Sequence, residues 1–331
     1  MNSIIITSIN SETESIKKFK NTPNWKLILV GDSKTPEYND SKIDFIPYKE
    51  DTKLSKLIGA NKYSRKNLGY IKAIQSGSDM IYETDDDNIP YDFWRFDAGL
   101  VCDNILTSSE KFANIYGYLS GEKIWNRGFP LSYINKKINY TLGKGVAKNV
   151  GVWQTLIDQD PDVDAIYRMV FNKPCVFNVQ NPFILNNNTY APFNSQSTFW
   201  SKGCFPYMYF PSTVPWRFAD ILRSYITQRL LREDNLYLGF SKSIVYQNRF
   251  RDDYMKDFVD EIQMYSDVLK TIEILDECCL SGNKIENLNT LYISLVNAGI
   301  VNEKELEILN QWNLMFLPKK DLYYVKQRRL G

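Results

Sequence analysis

The sequence predicts an α/β fold built on a mostly parallel sheet. Short apolar runs at Ser3 to Ile9, Trp25 to Val30 and Met80 to Tyr82 each end in polar residues, and a helix-spaced stretch separates the last two. The resulting order of strand, helix, strand, strand, helix, strand suits parallel crossovers. In such sheets ligands gather beyond the carboxyl ends of the strands. This chain places Thr7 and Ser8, Gly31 and Asp32, and Glu83 to Asp87 there.

The first run, SIIITSI, is β-branched and short, and Thr13 to Lys20 follows it with a helix-like pattern. WKLILVGDSKTP gives the second strand, closed by Gly31 and Asp32, and Ile43 to Tyr48 gives a third. In SRKNLGYIKAIQSGSD, Leu68, Ile71, Ile74 and Gln75 recur at helical spacing, with Gly77 as the C-terminal stop. Past residue 100, YLSGEKIWNRGFPLSYIN and NPFILNNNTYAPFNSQSTFW scatter aromatic and amide residues without a period, which suits ordered loops over a sheet edge. Asp160 and Pro161 read as N-cap and first residue of a helix with Val163, Ile166, Tyr167 and Val170 on one stripe. A second helix runs from Arg217 to Leu231. From about Asp252 onward the chain is helix-rich, so the expected division is an α/β domain over 1–251 and a helical subdomain over 252–331.

Composition limits the chemistry. The 331 residues are 44% hydrophobic and 14% aromatic, enough for a sizeable core. Lys+Arg 40 against Asp+Glu 39 gives a formal charge of +1, so there is no basic footprint for nucleic acid and no polybasic anchor. No histidine occurs, which excludes Ser-His-Asp and Cys-His chemistry and zinc hydrolysis through imidazole ligands. A general base must then be Asp or Glu before Lys, Tyr or Cys. The five cysteines form no Cys-x-x-Cys pair, as expected of a reduced, cytoplasmic chain. MNSIIITSIN lacks the features of a signal peptide, and no window has the eighteen or so apolar residues of a membrane span.

The stretch DMIYETDDDNIP sets three adjacent carboxylates, Asp85 to Asp87, at the end of an apolar strand. Adjacent like charges resist burial, so they are either solvated in an acidic turn or neutralised by a cation. A hard divalent ion takes one or two carboxylates and leaves other positions to phosphate and water. An EF-hand is excluded by the spacing and the missing central glycine, and a phosphatase nucleophile by Thr7 and Ser8 at the first strand end. A nucleotidyltransferase loop is excluded because SINSETES has no glycine. The reading left is a nucleotide-sugar glycosyltransferase whose Asp-x-Asp ends a strand.

VGDSKTP, SRKNLGYIKAIQSGSDMIYETDDDN, RGFPL, GVWQTLIDQDPDVDAIYR, PFNSQSTFW and VPWRFADILRSYITQRLL, in this order, resemble the STELLO family of glycosyltransferases over about Ile4 to Arg251. The resemblance implies a GT-A fold and metal-dependent transfer, with Mn²⁺ or Mg²⁺, from a nucleotide-sugar donor. A UDP-sugar is the expected donor, and a carbohydrate or other hydroxyl compound the acceptor. In that frame Asp87 and Asp85 are the expected metal ligands, and Asp85 and Asp86 lie near the ribose or metal. Thr7, Ser8 and Asp32 face the nucleotide, although Asp32 is equally suited to capping an Asp-Ser turn. Arg65 and Lys66, with Asn67, would hold the diphosphate at a helix start. Asp220, Asp162 and Asp164 are the candidate bases, and Trp153, Asn194 and Gln196 the candidate sugar contacts. The alternative is a non-catalytic sugar-nucleotide or partner-binding module of the same fold.

Overall fold

The computed structural model describes residues 1–49, 51–179, 181–248 and 253–317. Strand β1 (Asn2–Ser8) is apolar on both faces, and Ile4, Ile5 and Ile6 are fully buried. Helix α1 (Glu14–Phe19) begins where the Thr13 hydroxyl accepts the Ile16 N–H. Then come β2 (Trp25–Gly31), β3 (Ile43–Ile46) and a short α2 (Lys53–Ile58) that the sequence pattern does not announce. A 3-10 turn over Tyr63–Arg65 leads into α3 (Lys66–Gln75), and Gly77, at φ +77°, ends the turn into β4 (Met80–Asp85). Gly69 lets α3 lie flat on the sheet: a Cβ there would sit 2.6 Å from Ile5 Cγ2 and 2.8 Å from Val30 Cγ2.

The remaining elements are β5 (Ile89–Pro90), β6 (Val101–Ser108), α4 (Ile115–Ser120), β7 (Tyr140–Gln159), α5 (Ala165–Val170), β8 (Phe183–Leu185), β9 (Ser197–Ser201), α6 (Trp216–Glu233), β10 (Tyr237–Gln247), α7 (Tyr254–Glu277), α8 (Lys284–Asn297) and α9 (Lys304–Asn313). The sheet order is β3-β2-β1-β4-β9-β7-β6-β8-β10-β5, with β7 also pairing β10. The first four strands are parallel, as expected of the GT-A half, and Thr7 lies opposite both Val30 and Asp85. Beyond β4 the sheet is mixed, because β9 runs antiparallel to both β4 and β7.

Two sequence expectations change here. NPFILNNNTYAPFNSQSTFW does not lie over an edge: its last residues form β9, inserted between β4 and β7 with Phe199 and Trp200 buried. The helix expected from Asp160 starts instead at Ala165, capped by Asp164, while Asp160 pairs with Arg168.

Helices α7 to α9 share one buried cluster with the sheet and α6, in which Val268, Leu291 and Trp312 join Ile5, Ile81 and Phe218. The expected boundary between residues 251 and 252 falls outside the described residues. Among the described residues, no helix is long and apolar enough to cross a membrane.

Candidate functional site

The carboxyl end of β4 forms the floor of the site. Asp85 is nearly buried and accepts from Lys66 Nζ at 2.9 Å and from the Tyr63 hydroxyl. Burial pushes the Asp85 carboxyl up to about 6, against the pull of Lys66. Burial and the nearby Asp85 charge likewise raise the Tyr63 phenol well above its ordinary range. Asp86 is half-buried and accepts from Ser8 Oγ and from Asn10 Nδ2 at 2.9 Å. The turn is tied to α1 through its backbone: Thr13 Oγ1 donates to the Asp86 carbonyl at 2.6 Å and Ser15 Oγ to the Asp85 carbonyl at 3.1 Å.

The opposite wall comes from the start of α6 and from the RGFPL segment. Arg127 Nε and Nη2 donate to the two oxygens of Asp162 at 2.9 and 2.8 Å, while Nη1 and Nη2 donate to Asp220 at 2.8 and 2.9 Å. All three side chains are buried. Burial opposes the Arg127 charge, but Asp162 and Asp220 hold the guanidinium well above its ordinary range. Burial raises Asp162, yet Arg127 outweighs it and leaves the carboxyl below the usual range. Floor and wall are joined through the core. Glu83 on β4 is fully buried and accepts from Arg223 on α6 at 2.7 and 3.0 Å and from Trp200 Nε1 at 2.8 Å.

Between floor and wall lies a cavity of about 260 Å³ lined by Thr7, Tyr63, Asp85, Asp86, Asp87, Arg127, Ser195, Gln196, Trp216, Arg217 and Asp220. It adjoins a second, of about 560 Å³, through the shared residues Thr7, Tyr63, Asp86 and Trp216. Ser8, Asn10, Asp32, Asn61, Lys62, Arg65 and Lys256 also line this second space. Together they form one cleft at the ends of the parallel strands.

Several expected site residues therefore meet there: Thr7, Ser8, Asp32, Arg65, Asp85, Asp86, Asp87, Gln196 and Asp220. Among the described residues, the side-chain oxygens Thr7 Oγ1 and Gln196 Oε1 are buried without a hydrogen-bond partner, and both residues line the first cavity. Asp32 behaves as a turn anchor, accepting the N–H groups of Ser33, Asn61 and Lys62 at 2.6, 2.9 and 3.2 Å.

Other expected residues are held differently. Arg65 lines the second cavity but is buried, with Nε on the Gly31 carbonyl at 2.9 Å and Nη1 on Ser55 Oγ at 3.2 Å. Lys66 turns inward to Asp85 and the Ser195 carbonyl, and Asn67 bonds the backbone of Phe210. Neither Lys66 nor Asn67 lines the cleft, because the start of α3 is packed beneath the floor. Asp162 sits behind Arg127. Asp164 caps α5 and accepts from Trp125 Nε1 at 2.6 Å. Trp153 is a core residue donating to the Gly99 carbonyl, and Asn194 braces Asp162 and the Gln196 N–H.

Sequence reasoning missed Tyr63, Arg127, Trp216 and Arg217. Trp216 is 44% exposed and stands at the junction of the two cavities. The available signals were RGFPL, whose first residue is Arg127, and the Trp-Arg pair opening the α6 pattern.

A family profile described as STELLO glycosyltransferases matches residues 217–325, from the cavity wall through the C-terminal helices. Two curated proteins of Arabidopsis thaliana align along 93% of the chain, "Probable glycosyltransferase STELLO2" at 26% identity and "Probable glycosyltransferase STELLO1" at 25%. The chain is similar to the STELLO glycosyltransferases. It spans 44% and 43% of the length of those two STELLO proteins. Among solved structures, a mycobacterial protein aligns with a TM-score of 0.41 at 9% identity, covering 82% of this chain and 74% of its own. A Mycobacterium tuberculosis glucosyl-3-phosphoglycerate synthase, in complex with Mn²⁺, UDP-glucose and phosphoglyceric acid, aligns with a TM-score of 0.40 at 10% identity over 85% of this chain and 81% of its own.

Proposed function

We propose that this chain is a GT-A-type glycosyltransferase that moves a sugar from a nucleoside-diphosphate sugar, a UDP-sugar first among them, to a hydroxyl acceptor. One observation carries the reading: Asp85 to Asp87, at the carboxyl end of β4, line the first cavity, and Asp86 lines the second as well. The STELLO similarity agrees with it.

Among the described residues, no group of three or more His, Cys, Asp or Glu side chains converges to hold a metal ion. An oxygen-only edge such as Asp87 with Asp85 suits a hard dication that takes its other ligands from phosphate and water. Bound there, Mn²⁺ or Mg²⁺ would neutralise charge on the departing diphosphate.

The chain's own residues do the rest. Trp216 offers a ring face at the junction, and Gln196 Oε1 and Thr7 Oγ1 offer unspent acceptors to sugar or ribose hydroxyls. Asp220 faces the same cavity and orients an acceptor hydroxyl. Both its oxygens already accept, from Arg127 and from the Ser195 and Ile221 N–H groups, so that hydroxyl must compete with Arg127. This saturation favours the second reading, a sugar-nucleotide-binding module without transfer. Donor turnover that vanishes in Asp87→Asn would exclude it.

Calorimetric titration with nucleoside diphosphates, with and without Mn²⁺, tests the proposal. UDP should bind about tenfold or more tightly with the metal, the usual scale of such coupling, and Asp87→Asn should abolish that gain. Metal-independent binding, or none to any nucleoside diphosphate, overturns the proposal.

A further inference from the structure

We infer that Arg217 binds the diphosphate of the donor and that Glu261, on α7, is the residue that positions it. The inference rests on the reading of the cleft as a nucleotide-sugar site and adds to it a ligand-binding arginine and its support.

Arg217 is 2% exposed, yet it lines the cavity that holds Asp85 to Asp87. One edge of its guanidinium is clamped: Nε donates to Glu261 Oε1 at 2.7 Å, and Nη2 donates to the same oxygen and to the Val163 carbonyl. Nη1 makes no hydrogen bond among the described residues. An otherwise buried guanidinium clamped along one edge thus presents a terminal nitrogen that no protein acceptor among the described residues takes, and an oxyanion is the strongest acceptor it can meet. Arg127, the other wall arginine, has nothing comparable to offer. Its Nε, Nη1 and Nη2 are all committed, to Asp162, Asp220 and the Arg217 carbonyl.

Glu261 is fully buried and fixed from several sides. Its Oε2 accepts the Ala165 N–H at 2.7 Å and the Tyr265 hydroxyl, so the carboxylate ties the starts of α5 and α6 to α7. A planar guanidinium held along its Nε–Nη2 edge has its remaining N–H directions set by that grip. The carboxylate-lined floor and the Nη1 of Arg217 then flank one space, an arrangement suited to a diphosphate bridged on one side by a cation and on the other by an arginine.

The test is calorimetric titration of the full chain with UDP in Mn²⁺, with uridine as the phosphate-free control. Arg217→Gln should weaken UDP binding about tenfold or more while leaving uridine binding unchanged, and Arg217→Lys should restore part of the loss. Glu261→Gln should weaken UDP binding as well, and the double variant should be no weaker than Arg217→Gln alone, because Glu261 acts through Arg217. Should Glu261→Gln fail to fold, the Arg217→Gln and Arg217→Lys pair still decides the point. Arg217→Gln binding UDP as the wild type does, or losses that simply add in the double variant, overturns the inference. A wild-type chain that binds no UDP removes the underlying reading and this inference with it.

Discussion

On the floor of the cavity, Asp86 accepts from the neutral side chains of Ser8 and Asn10 and keeps a half-exposed position. On the wall, Arg127 sits between Asp162 and Asp220 and Arg217 against Glu261, each of them less than a tenth exposed. Neutral donors hold a carboxylate in place without cancelling its charge, whereas a guanidinium in contact cancels it. On the floor Asp86 is held in the first way beside Asp85, whose charge Lys66 meets, while the wall pairs its charges with one another and clamps Arg217 along one edge. Pairing of the second kind serves architecture first, and it serves the proposed site only through the edge of Arg217 that Glu261 leaves open.

The strongest way to break this division is at the pair that joins the two sides. Arg223→Met leaves Glu83 buried without its counter-ion and should cost about 3–5 kcal/mol in urea unfolding, with Glu83→Gln in the same chain recovering part of it. A loss below about 1 kcal/mol would mean that the pair is not desolvated and that floor and wall are less distinct. A smaller effect is expected from the packing under the floor. Gly69→Ala must displace Ile5 and Val30 and should cost about 1–3 kcal/mol, with a similar loss of UDP affinity only if the end of β1 moves with it.

The smallest effect probes a buried carboxylate outside the cleft whose hydrogen-bond donors are neutral. Asp164 accepts from Trp125 Nε1 and the Tyr167 N–H, and burial pushes it up to about 7, far above the unfolded value near 3.9. Its folded form is therefore favoured when protonated. That stability is complete below about pH 4 and is lost as pH rises through 7. Asp164→Asn does not titrate and offers Trp125 one acceptor fewer. Its stability deficit should be largest below about pH 4 and smaller at pH 8 than at pH 5 by on the order of 1 kcal/mol or more. A deficit equal at the two pH values would show that Asp164 does not change charge in this range.

The parallel half was legible because β1, β2 and β4 are short apolar runs with polar ends, and α3 shows its period between them. The inserted β9 was not, since both its faces are buried and Phe199 and Trp200 erase any alternation. The same limit applies to the two cations at the start of α3. Arg65 and Lys66 announce charge in the sequence, but only the packing of α3 beneath the floor reveals that this charge serves Gly31, Ser55 and Asp85. Arg127 and Arg217 were hidden for the converse reason: their partners lie 35, 93 and 44 residues away, and nothing local marks them.

The Glu83–Arg223 pair has a consequence for how the chain reaches this state. The two residues are 140 positions apart, and Glu83 sits in the middle of β4, among the first strands to be synthesised. An ionised glutamate cannot leave water before its arginine arrives, so the face of β4 turned toward α6 stays wet until α6 docks. The early α/β half can pair its strands but cannot dry its centre alone. The step that completes the core is also the step that brings Trp216, Arg217 and Asp220 to the aspartates, so the order of folding ties a finished interior to an assembled cleft.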